Sequence, residues 1–131
     1  MEKIEGIMKS MTFEFFSSGI HKIKASDHFL KEDALFLDVR SNEERDTLSF
    51  ELIHHMPVIH IPINDVPDRL DEIPKDRCIG VFCSSGVRAT IVYVYLKSKG
   101  YKDVLILEGG YNGIIDEIKP GKFLKHIKTK K

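Results

Sequence analysis

The sequence predicts an α/β fold: a single three-layer domain in which a five-stranded, mainly parallel sheet is flanked by helices on both faces. Three observations carry that prediction. Strand-like and helix-like segments alternate along most of the chain. Two of the strand candidates, residues 34–39 (ALFLDV) and 78–82 (CIGVF), are nearly unbroken apolar runs, the pattern of strands covered on both faces. A chain of 131 residues also suits one domain with a core large enough to dispense with disulfide or metal staples. No internal repeat, low-complexity tract or interdomain linker interrupts it.

The elements follow in order. Ile4, Ile7, Met8, Met11 and Phe15 recur at helical spacing, so residues 1–18 read as an extension holding one short helix. The main domain then runs over 19–118. "GIHKIKA" alternates as an edge strand does, and "SDHFLKED" reads as a short helix capped by Ser26. The run ALFLDV ends at Asp38, Val39 and Arg40. "SNEERDTL" follows as a helix with Ser41 at its cap and acids in its first turn, where the helix dipole favours them. "VIHIPI" is a strand bounded by Pro57 and Pro62, and "NDVPDRLDEIPKD" a short helix and polar turn. After CIGVF, "GVRATIVYVYLKSKG" is the strongest helix, with an apolar face through Ile91, Val92, Tyr95 and Leu96 and a stop at Gly100. "DVLILEGG" supplies the last strand and "YNGIIDEI" the last helix before Pro120.

Composition narrows the function classes. The apolar share is 42% and the charged share 31%, and no apolar run approaches the roughly 20 residues of a membrane span. The first residues do not form a secretory signal, so the expected compartment is the cytoplasm, where thiols stay reduced. Net charge is zero, yet residues 119–131 hold six lysines and no acid, which leaves 1–118 at −6. This basic tail carries no interleaved aromatics beyond Phe123 and reads as a solvated terminus, not a nucleic-acid contact. His54, His55 and His60 lie close in sequence, but neighbours on a strand face opposite ways and no metal-ligand spacing accompanies them. No metal or cofactor is expected. His21, His28 and His126 read as surface residues.

The chemistry-bearing stretch is "CIGVFCSSGVRAT". Cys83 falls at the carboxyl end of a buried strand, where open α/β sheets place their ligands. Ser84, Ser85, Gly86 and Val87 join strand to helix with little bulk, so several backbone N–H groups converge above the helix start and favour negative charge. A thiolate there is stabilised, and Arg88 adds a fixed positive charge that either reaches an anionic substrate or anchors the loop. Cys83 is thus the candidate nucleophile. Cys78, at the other end of the strand, lacks such a setting and reads as structural. An extended strand sets the two about 16 Å apart, beyond the ~7 Å reach of a disulfide.

"CSSGVRA" resembles the Cys-x-x-Gly-x-Arg-Ala loop of single-domain rhodaneses, a sulfurtransferase family. "LFLDVRSNEE" at 35–44 resembles the family's Leu-Asp-Val-Arg-x-x-x-Glu motif and "LEGGYNG" at 107–113 its Leu-x-Gly-Gly motif, in the expected order across residues 20–117. There are departures: "HMPVIHIP" lacks the family's Gly-Ala pair, and Ile114 stands where a tryptophan is common. Tyr111 supplies the aromatic usual after the double glycine. The resemblance implies a cysteine persulfide formed on Cys83, with a small donor such as thiosulfate or another persulfide and a thiol or cyanide acceptor, including a thioredoxin-like protein. Ser84, Ser85, Gly86, Val87 and Arg88 would bind the donor, with Arg40 either a further contact or a brace paired with Asp38. Glu43 and Glu108 are expected braces. The alternatives are a persulfide relay or interaction module docking on a protein, and a cysteine phosphatase or arsenate reductase, whose anion loop is one residue longer than the four between Cys83 and Arg88.

Overall fold

The computed structural model describes residues 2–49 and 56–117. The elements are α1 (Glu2–Ser10), α2 (Phe13–Ser18), β1 (Lys22–Ile23), α3 (Ala25–His28), β2 (Ala34–Asp38), α4 (Asn42–Thr47) and β3 (Val58–His60). Two 3-10 segments follow, Ile63–Asp65 and Pro67–Glu72, then β4 (Cys78–Phe82), α5 (Val87–Ser98), β5 (Val104–Leu107) and α6 (Gly110–Glu117). The five strands form one sheet in the order β1-β5-β4-β2-β3, and every pairing is parallel. The predicted architecture is the one observed.

Alternation along the central strands builds the layers. On one face Leu35, Leu37, Ile79, Val81 and Cys83 pack with Ala89, Val92 and Leu96 of α5. On the other, Ala34, Phe36 and Phe82 pack with Phe29, Met56 and Ile114. Both faces of β2 and β4 are covered, which is why neither strand shows a polar alternation.

Several local readings change. The N-terminal helix is two: the chain breaks after Ser10, and Thr12 caps α2 by accepting from the Phe15 amide at 3.3 Å. Phe15 enters the core beside α5, and Met8 is left in solvent. Ser26 lies inside α3 instead of capping it, because Lys24 is the residue with extended backbone at its start. The buried face of α5 runs through Ala89, Val92, Tyr93 and Leu96, while Ile91 is 55% exposed; the helix meets the sheet about a quarter-turn round from the expected face.

His21 and His28 are buried, not at the surface. The His28 ring fills the space over Gly80, where a Cβ would stand 2.6 Å from its Nε2, and that nitrogen lies 3.1 Å from the Leu35 carbonyl. A glycine inside a core strand is therefore a socket for a histidine from α3. His21 stacks on Phe15 with ring centroids 4.5 Å apart, and burial, then Lys22, lowers its pKa. Among the described residues no helix is long and apolar enough to cross a membrane. His54, His55, His126, Phe123 and the tail 119–131 lie outside the described residues.

Candidate active site

Cys83 follows β4 directly, and the chain turns over it. Gly86 adopts a left-handed backbone, φ +96°, that a side chain would strain, and this turn starts α5. The turn points two amides at one sulfur: the Gly86 N–H donates to Sγ at 2.9 Å and the Ala89 N–H at 3.3 Å. Cys83 is only 2% exposed. The sulfur therefore sits at the amino end of α5, beneath a roof of small residues.

The double glycine completes the roof. Gly110, φ +54°, lies so close to the loop that a Cβ would overlap the Ser84 carbonyl oxygen. The sequence motif at 107–113 and the cysteine loop are thus two sides of one contact. Beside them opens a cleft of about 380 Å³ whose lining includes Ser84, Gly86, Thr90, Glu108 and Lys22.

Arg88 is anchored. Its guanidinium donates to Glu44 Oε1 at 2.5 Å and Oε2 at 3.0 Å, and to Ser84 Oγ at 2.9 Å. Glu44 also accepts from the Ser41 amide at 3.0 Å, while its own amide donates to Ser41 Oγ, a reciprocal cap on α4. The hydrogen bonds from Arg88, then from Ser41, hold the Glu44 carboxyl down at about 2. Glu44 in turn pushes the Arg88 pKa up. The carboxylate that braces the loop is therefore Glu44, and the expected brace Glu43 is exposed beside it. The motif spacing carried that signal, since the third residue between Arg40 and the motif glutamate is Glu43 itself.

Arg40 is fully buried. Its Nε and Nη2 donate to the two oxygens of Asp38 at 2.9 and 2.7 Å, and Nη1 donates to the Tyr111 hydroxyl at 2.9 Å. The guanidinium also lies over the Phe82 and Tyr111 rings, 5.3 and 5.4 Å from their centroids. Burial alone would lower the Arg40 pKa, but the bonds to Asp38 and Tyr111 raise it. The His60 ring nitrogen sits 2.8 Å from the Arg40 carbonyl. Asp38 and Arg40 thus tie the end of β2 to α6. Glu108, the other expected brace, is exposed at the cleft.

Besides Glu44, two contributors to the site, Ala89 and Lys22, are not singled out by the sequence. Ala89 contributes only a backbone amide, which no side-chain pattern reveals. Lys22 reaches the cleft because β1 pairs with β5, Lys22 opposite Ile106, and pairing across such a sequence distance has no local signature.

Residues 23–117 match the sequence profile of the rhodanese-like domain. The chain belongs to that family. A sulfurtransferase of Allochromatium vinosum is 37% identical over 79 residues, covering 60% of this chain and 69% of that protein. Among solved structures, a rhodanese-related protein of Thermoplasma volcanium is similar with TM-score 0.60 and 27% identity over 76% of this chain and 95% of that one. A NAD-dependent persulfide reductase from A. fulgidus gives TM-score 0.58 and 38% identity over 79% of this chain. This rhodanese-like chain spans only 17% of the reductase. Relatives of this chain thus carry the names sulfurtransferase and persulfide reductase.

Proposed function

We propose that the protein is a sulfurtransferase that carries a sulfane sulfur as a persulfide on Cys83. The observation that supports this best is the pair of amides on the sulfur, from Gly86 and Ala89, because fixed N–H donors stabilise an anion without reorganising during the reaction. The donor reading is thiosulfate. The Cys83 thiolate attacks its outer sulfur, a Cys83 S–S bond forms, the donor's S–S bond breaks, and sulfite leaves with the electron pair. A thiolate or cyanide then attacks the terminal sulfur, the Cys83 S–S bond breaks, and the thiolate is regenerated. Sulfur moves at constant oxidation level, so no external oxidant or reductant enters. Sulfite is a good leaving group, and no acid catalyst is needed.

In this reading Ser84 to Val87 supply the anion cradle, Arg88 and Glu44 hold its shape through Ser84, and Asp38, Arg40 and Tyr111 fix the neighbouring strand end. The four-residue loop closed over a buried sulfur favours a single sulfur atom over the tetrahedral oxyanion of a phosphatase or arsenate reductase. The test is intact mass after thiosulfate treatment. A gain of one sulfur mass is expected in wild type and Cys78→Ser, removed by cyanide, with none in Cys83→Ser. Adduct retained in Cys83→Ser, or none in wild type with any sulfane donor, would sink the reading.

A further inference from the structure

Arg88 and Arg40, the two cations that the site's motifs provide, are both committed, one to Glu44 and Ser84 and the other to Asp38 and Tyr111. The cleft beside the loop nevertheless has charge. Among its described lining residues Lys22 is the one cation and Glu108 the one carboxylate, and neither is ion-paired with another described residue. Lys22 pairs with Ile106, the Glu108 amide donates to the Ile23 carbonyl at 2.8 Å, and Glu108 lies two residues beyond Ile106. Lys22 and Glu108, the latter in the turn directly after β5, both line the cleft. Adjacent strands two positions out of register set their Cα atoms about 8 Å apart, at the edge of a cleft of about 380 Å³. Ser84 and Gly86, which roof the Cys83 sulfur, line the same cleft.

We propose that this cleft is the acceptor subsite and that it selects a low-molecular-weight thiol of the α-amino-acid class, with the acceptor's carboxylate on Lys22, its ammonium on Glu108 and its sulfur directed past Gly86 to Cys83. The cleft offers one cation and one carboxylate, and a ligand bearing both an anionic and a cationic group can satisfy both. This rests on the persulfide reading and names its acceptor. The acceptor thiol, as thiolate, attacks the outer sulfur of the Cys83 persulfide; the new S–S bond is on the acceptor, the Cys83 S–S bond breaks, and its electron pair returns to the Cys83 thiolate. The thiol proton goes to solvent, and no net oxidation occurs.

The test loads Cys83 with sulfur and follows its discharge by cysteine, cysteamine, 3-mercaptopropionate and 2-mercaptoethanol, each rate divided by that of the same thiol with a free small-molecule persulfide. Cysteine, which carries both charges, is expected to be fastest, by about tenfold for each charged contact, equivalent to ~1.4 kcal/mol. Lys22→Gln is expected to erase the advantage of cysteine over cysteamine, and Glu108→Gln its advantage over 3-mercaptopropionate. Equal normalised rates for all four thiols, or a cysteine preference that survives both substitutions, would overturn the subsite while leaving the persulfide reading intact. A protein that takes up no sulfur on Cys83 would overturn both.

Discussion

Cys78 and Cys83 bracket one strand, and both are buried free thiols. Their surroundings differ in kind. Cys83 receives two backbone N–H bonds from the start of α5, whereas Cys78 faces the other side of the sheet with the Lys31 ammonium 3.4 Å from its sulfur. Burial pushes the Cys78 thiol up, and Lys31 offsets this only in part. Depth and residue type are therefore shared, and what separates the two is the chain beyond the strand end. At the carboxyl end of β4 the polypeptide turns its amides back onto the sulfur. At the amino end the backbone is occupied in pairing, with the Cys78 amide bonded to the Asp33 carbonyl at 3.0 Å.

The contrast can be broken most severely through Asp38. Asp38→Ala removes the buried carboxylate that accepts two bonds from the Arg40 guanidinium, and urea denaturation is expected to show a loss of about 3–5 kcal/mol. The matching change at the other end, Lys31→Ala, removes one bond from a half-buried side chain and is expected to cost less than about 1 kcal/mol.

Alkylation of the native protein sharpens the same contrast. At pH 8, iodoacetamide is expected to consume Cys83 at least about tenfold faster than Cys78, whose raised pKa keeps it protonated. Equal rates, read by peptide mass, would remove the distinction. Gly110→Ala is expected to slow sulfur loading of Cys83 by about tenfold, ~1.4 kcal/mol in the barrier, since the new Cβ displaces the Ser84 carbonyl. Cys78 alkylation should not respond.

The smallest effect is acidic. The Glu44 carboxyl lies below its ordinary value of 4.5 in the folded chain, at about 2, so its pairing with Arg88 stabilises the fold fully above the ordinary value. That contribution is lost as pH falls from 4.5 through about 2. Stability of wild type should therefore fall more steeply over that window than stability of Glu44→Gln, and equal slopes in acid titrations of the two proteins would show that the pairing contributes nothing.

How much of this the sequence carried depends on the range of the interaction. The layered fold and the Cys83 loop were legible because each rests on local signals: apolar runs fit only doubly covered strands, and a small-residue loop before a helix has few uses. The brace was misplaced by one residue, Glu43 for Glu44, since both carboxylates suit a first helical turn, and the motif spacing and the reciprocal bond with Ser41 are what separate them. The buried histidines were missed because a histidine is polar in isolation; it takes Gly80, a strand away, to make room for His28. The α5 face was rotated because nearly every position of "VRATIVYVYL" is apolar enough to serve, so the sheet decides. Lys22 was missed for the most distant reason, that its strand partner is β5.

That pairing sets when the site comes into being. The sheet order β1-β5-β4-β2-β3 inserts the last strand made between the first and the centre. During synthesis β2, β3 and β4 can assemble as soon as they emerge, but β1 has nothing to pair with until β5 has been translated. Such late, long-range closure is the slow part of folding. The Gly110 side of the roof, the Tyr111 bond to Arg40 and the Lys22 wall all arrive with that closure. A nascent chain therefore carries Cys83 before the Gly110 side of its roof and the Lys22 wall are in place.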